Sequence, residues 1–146
     1  MAPCLPPAIA QHIDGSPPAG TDTLNFTTTA IAHTAGLSTL FTCTNLNSDT
    51  ANIAVQIFDQ NGSTQNASPA LVVPPGSTVQ FATTGPAPFS PDWILSPVNA
   101  FTKAAAKFWS DHKLIHCVVI LEPSVGSSLS TVNLPLIAQG KKQRGD

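Results

Sequence analysis

The first 102 of the chain's 146 residues contain no lysine and no arginine. All six basic residues lie behind that point, at Lys103, Lys107, Lys113, Lys141, Lys142 and Arg144. Ahead of it stand five aspartates (Asp14, Asp22, Asp49, Asp59, Asp92), so the front is net −5. The rear sets six bases against Asp111, Glu122 and Asp146, for +3, and the two sum to the net −2 of the chain. Binding to nucleic acid requires a basic face that neutralises phosphates, and the front cannot supply one. Tyrosine is absent and glutamate occurs once. Charged residues make up 10% of the chain, against about 25% in ordinary domains.

Other absences narrow the chemistry. No apolar run approaches the roughly 18 residues of a membrane-crossing helix. The opening MAPCLPPAIAQHIDG has no basic n-region and only a short, proline-broken apolar stretch, so it is not expected to be a secretory signal peptide. His12, His33, His112 and His116 are scattered without the spacing of a zinc site, and no HExxH occurs. Serines are many but none sits in G-x-S-x-G, and no glycine-rich phosphate cradle is present. The aspartates fall mainly in turn sequences, where they bond the local backbone. No catalytic residue, metal ligand or cofactor is therefore expected. A pocket uniting Asp92, Asp111 and His112 would be the sign of an enzyme.

What is present points to β-structure. Thr, Ser and Asn stand where charges usually do, a composition expected of exported β-rich proteins and of surfaces covered by a partner; it suggests an extracytoplasmic location. Residues 1–20 carry Pro3, Pro6, Pro7, Pro17 and Pro18, which suit neither helix nor central strand, and read as an arm. Residues 21–139 form the domain and residues 140–146 a basic tail. Within the domain, strands are predicted over residues 23–33, 37–46, 52–59, 70–73 and 77–83, with turns at Asp59-Gln60-Asn61-Gly62 and Pro74-Pro75-Gly76. Proline-rich residues 84–102 break the rhythm, and Phe89, Trp93, Ile94 and Leu95 are expected to plug one end of the core. KAAAKFWS at 103–110 is ambiguous between an Ala-rich helix and a strand, and a strand that turns back in a hairpin is favoured. LIHCVVIL at 114–121 reads as a central strand, and residues 129–138 close the domain with Pro135 at an edge. Seven or eight short strands without an alternating helix predict an all-β, antiparallel β-sandwich.

The segments FTCTNL, IAVQIFDQNG, VPPGSTVQF and IHCVVILEP resemble those of small secreted bacterial immunoglobulin-like sandwiches of unassigned function, over residues 37–137. The chain departs from true immunoglobulin domains in having no tyrosine for a tyrosine corner and no tryptophan soon after Cys43. The resemblance implies that Cys43 and Cys117 lie on facing sheets, where a disulfide can join them; the other reading is two buried thiols packed as small hydrophobes. Cys4 is left over.

The expected function is non-catalytic contact with a protein partner or with further copies of the chain, in surface assembly, adhesion or as an accessory subunit. The basic residues around 103–113 and 141–144 are candidate contacts to the acidic front of another copy. The alternative is a ligand- or glycan-binding module with Phe89, Trp93 and Trp109 as an aromatic platform. Asn25, Asn61 and Asn66 each begin an Asn-x-Ser/Thr sequon and are candidate glycosylation sites.

Overall fold

The computed structural model describes residues 16–84, 91–97, 100–123 and 132–138. Their strands, in chain order, are β1 (Thr23–His33), β2 (Leu37–Asn45), β3 (Ala51–Phe58), β4 (Thr64–Ala67), β5 (Leu71–Val73), β6 (Thr78–Ala82), β7 (Trp93–Ile94), β8 (Phe101–Ser110), β9 (Ile115–Pro123), β10 (Val132–Leu134) and β11 (Ile137–Ala138). They form two sheets, ordered β11-β1-β8-β3-β4, with β5 also on β3, and β10-β9-β2-β6-β7. The ambiguous 103–110 segment is strand β8, flanked by β1 and β3.

Alternation along each strand builds the core. Ile53, Val55 and Ile57 of β3 and Ala104, Ala106 and Phe108 of β8 face inward from one sheet. Phe41 and Cys43 of β2, Val79 and Phe81 of β6, and Cys117 and Val119 of β9 face them from the other. The Phe41 and Phe108 rings meet edge to face across the layers, 5.6 Å apart. The described domain is thus an all-β sandwich over one core.

The route of the chain differs from a run of hairpins. β1, β3 and β8 lie in one sheet, whereas β2, β6 and β9 lie in the other, so the chain repeatedly crosses the sandwich. The expected β8–β9 hairpin does not form, because β8 is already paired on both sides and β9 pairs with β2 and β10. Nor is every pairing antiparallel: β7 runs parallel to β6. Trp93 and Ile94 lie beside Phe81 and Ala82, the last two residues of β6, running in the same direction, an arrangement a tight turn cannot make. Eleven strands are described rather than seven or eight. The unexpected ones, β4 and β7, are four and two residues long, too short to show a period in sequence, and the closing segment 129–138 holds two short strands, β10 and β11, where one was expected.

Buried polar groups hold the crossings. At the β1–β2 corner, the Thr39 hydroxyl donates to the Ala32 carbonyl (2.7 Å) and accepts from the Ala32 N–H (3.1 Å). The Thr39 N–H donates to the Thr83 hydroxyl (2.9 Å), tying in the end of β6. Asn45, fully buried, donates to the carbonyls of Asp49 and Val73 and accepts from the N–H and side chain of Asn47. In β1, Ala30 is an extra residue between the pairs Thr29–Ala105 and Ile31–Ala104, and it adopts φ 65°. It is a β-bulge that bends the strand.

Candidate contact surface

The two sheets differ in charge. The five strands of the β2 sheet contain no Lys, Arg or Asp among their described residues; His116 and Glu122 of β9 are their ionisable side chains. Of the described lysines, Lys103 and Lys107 lie on β8 and Lys113 in the turn beyond it. Register fixes what the β2 sheet turns outward. One row is His116–Thr44–Thr78, the next is Val118–Thr42–Gln80, and the third is Ile120–Leu40–Ala82–Ile94. Cross-strand hydrogen bonds knit the polar part: the Thr44 and Thr78 hydroxyls are 2.7 Å apart, and the Gln80 amide donates to the Thr42 hydroxyl at 3.3 Å. Leu40 and Ala82 are buried, but Val118 and Ile94 are each 39% exposed and Trp93 is 40% exposed. The face is therefore poor in charge and part apolar.

Among the described residues β7 pairs only with β6, and β5 only with β3. Between β5 and β6 lies a groove of about 290 Å³ whose walls include Leu71, Val72, Val73, Val79 and Asp92. Val72 is 68% exposed on it. The Gln80 N–H donates to the Asp92 carboxylate (2.8 Å), and the Asp92 N–H to the Gln80 carbonyl (2.8 Å), so Asp92 fixes the entry of β7.

No family model, no curated protein and no solved structure matches this chain.

The residues singled out in the sequence are distributed as follows. Cys43 and Cys117 are joined, but they sit directly opposite each other on the neighbouring strands β2 and β9 of one sheet, Cα atoms 4.1 Å apart. The facing-sheet geometry expected for them is corrected: β9 pairs with β2 instead of crossing the core. Trp93 and Trp109 are not brought together as an aromatic platform. Trp93 is on the edge of one sheet, while Trp109 is buried in the other with its indole N–H donating to Gln56 Oε1 (2.9 Å). Phe89 lies outside the described residues, as do Lys141, Lys142, Arg144 and Cys4. The expected plug is also corrected in part, since Leu95 is buried but Trp93 and Ile94 are exposed.

The basic residues of 103–113 do not gather into a patch. Lys103 and Lys113 are exposed at opposite ends of β8, about 30 Å apart for an extended strand of that length. Between them Lys107 places its ammonium 4.8 Å from the centre of the Phe58 ring, a cation–π contact. Of the arm, the described part is tethered: the Ser16 carbonyl accepts from the Gln56 amide (3.1 Å) and Thr21 closes a turn onto Pro18.

Asp111 and His112 are brought together, with His112 Nδ1 2.8 Å from Asp111 Oδ1. Asp92 does not join them. Partial burial pushes the Asp111 carboxyl up, but hydrogen bonds from the Asn52 backbone, from His112 and from the Asn52 side chain outweigh it, and the result lies below the usual range. This pair anchors the β8–β9 corner to β3. Burial lowers His33 and raises Glu122. Among the described residues no three His, Cys, Asp or Glu side chains converge as a metal site would require.

The sequons separate sharply. Asn25 is buried, donating to the His112 carbonyl (2.9 Å) and accepting from the Ser110 hydroxyl (2.6 Å), so the folded domain cannot carry a glycan there. Asn66 donates its amide to the Leu95 carbonyl. Asn61 is exposed at the β3–β4 turn.

Thr42, Thr44, Thr78, Gln80 and Val118 were not marked out by any motif. Their signal was uncharged residues at alternate positions of several strands, but alternation cannot say which strands lie side by side.

Proposed function

We propose that this chain is a non-catalytic, extracytoplasmic structural protein that acts through protein–protein contact, with the outer face of the β2/β6/β9 sheet as its contact surface. The observation that carries the reading is the scarcity of charge on that sheet, whose described strands hold no Lys, Arg or Asp and one carboxylate, the buried Glu122, with Val118, Ile94 and Trp93 exposed on it or at its edge. Cores of protein interfaces are depleted in charged side chains and enriched in aromatics. An uncharged face also meets a second copy of itself without like-charge repulsion, so self-assembly is the form of contact favoured. The edges of β5 and β7, unpaired on one side among the described residues, offer backbone groups for strand addition beside it. The extracytoplasmic location is supported by the Cys43–Cys117 bond, since such bonds persist in oxidising compartments.

Light scattering over a concentration series tests this. The wild type is expected to associate, and Val118→Lys or Ile94→Lys to reduce association at least tenfold while retaining the fold by circular dichroism. A wild type that stays monomeric throughout, or variants that associate equally well, overturns the proposal.

A further inference from the structure

Five of the described asparagines have their side-chain amides committed to hydrogen bonds. Asn25 donates to the His112 carbonyl, Asn45 to those of Asp49 and Val73, and Asn47 to Asn45 Oδ1 and the Leu114 carbonyl. Asn52 donates to Asp111 Oδ2, and Asn66 to the Leu95 carbonyl. Two described asparagines stand outside this pattern, Asn61 and Asn133, and both are exposed. Asn133 is followed by Leu134 within β10, whereas Asn61 is followed by Gly62 at the tip of a hairpin.

The tip is a three-residue loop closed by Asp59. The Gly62 N–H donates to the Asp59 carbonyl (3.0 Å), and the Asp59 N–H to the Ser63 carbonyl (2.9 Å). Asp59 Oδ1 accepts from the N–H groups of Asn61 (2.9 Å) and Ser63 (3.0 Å). Gly62 takes φ 85°, the left-handed position such a loop demands. The loop therefore presents an exposed carboxamide outside these hydrogen bonds, next to the backbone nitrogen of a residue that has no side chain.

We propose that Asn61-Gly62 is a site of spontaneous backbone-assisted deamidation in the folded protein. The deprotonated Gly62 nitrogen attacks Asn61 Cγ, the new N–C bond forms, the Cγ–NH2 bond breaks, and ammonia leaves. Water then opens the five-membered imide at either carbonyl, giving aspartate or isoaspartate. The balance is one water consumed and one ammonia released, with no oxidant or reductant. Attack requires the Gly62–Asp59 turn hydrogen bond to open, and an exposed loop opens at low free-energy cost. The product sets a second carboxylate two residues from Asp59, and the isoaspartate form lengthens the backbone by a methylene. Either change works against the Asp59 cap that closes the β3–β4 hairpin.

The full folded chain is incubated at a series of mildly alkaline pH values and digested at intervals. Each asparagine is followed for the small mass gain that accompanies replacing NH2 by OH, and isoaspartate is separated from aspartate by electron-based fragmentation. Asn61 is expected to convert several-fold faster than Asn133 and than any of the five bonded asparagines, at a rate that rises with pH, with isoaspartate the larger product. Asn61→Gln, which disfavours the five-membered ring, is expected to remove the leading signal. Faster conversion at another described asparagine, or aspartate as the sole product at 61, overturns the proposal.

Discussion

Glu122 is the chain's one glutamate, and it is 8% exposed on β9 opposite Ser38. Burial raises its pKa. A carboxyl with a raised folded-state pKa contributes stability that is present below the unfolded pKa, about 4.3, and lost as pH rises through the folded value. Glu122→Gln is therefore expected to be more stable than wild type at neutral pH and to lose that advantage in acid, as read from urea midpoints at the two pH values. Asp111 has the opposite sign. Its lowered pKa gives stability that is present above the unfolded value and lost as pH falls through the folded one. Asp111→Asn is expected to flatten the acid limb of the stability profile. Ala30 offers a test of backbone strain. Valine favours strands, yet at φ 65° in the bulge a β-branched side chain is expected to destabilise by roughly 1–2 kcal/mol, measurable as a shift in the denaturant midpoint.

At the scale of elements, the β2–β9 pair is braced both by its register and by a covalent bond. It carries a nine-residue register with the disulfide toward its Asn45 end, and the two cysteines stand 74 positions apart in the chain. Opening a loop of that length in the denatured state is worth about 4 kcal/mol in the loop-entropy description. The double variant Cys43→Ala/Cys117→Ala is expected to lose stability on that order, and wild type under reductant to match it; equal midpoints with and without reductant would sink the estimate. Asn45 braces the same end by joining β2 to β5 and to the Asp49 loop. The strands themselves were largely legible in the sequence, because an alternation such as Ile53, Val55, Ile57 is a local property. Sheet membership was not. β8 and β9 are adjacent in sequence and joined by a short turn, yet they part into different sheets because β1 and β3 occupy both edges of β8.

For the whole molecule, the charge asymmetry along the chain becomes an asymmetry between sheets. Lysine enters the described structure on β8 and the turn that follows it, and β8 is inserted between two strands that carry none. The opposite sheet draws its strands from front and rear alike and stays almost uncharged. A contact made by that face is expected to persist as salt is raised, since screening acts on charges and not on apolar burial. An electrostatic contact between lysines and the acidic front would instead weaken. Association measured by light scattering from low to high salt distinguishes the two, and loss of association at high salt would remove the uncharged face from consideration.

Sequence alone determined the all-β class, the position of most strands, the turns at Gly62 and Gly76, and the exclusion of a basic face from the front of the chain. These follow from side-chain period, backbone preference and composition, all of which act over a few residues. Tertiary structure alone decided that Cys43 meets Cys117 within one sheet, that Trp109 is buried on Gln56 while Trp93 is exposed, and that Asn61 is open where Asn25 is enclosed. Each of these depends on which strands become neighbours, and that choice is made by long-range pairing and core packing, to which no local pattern refers.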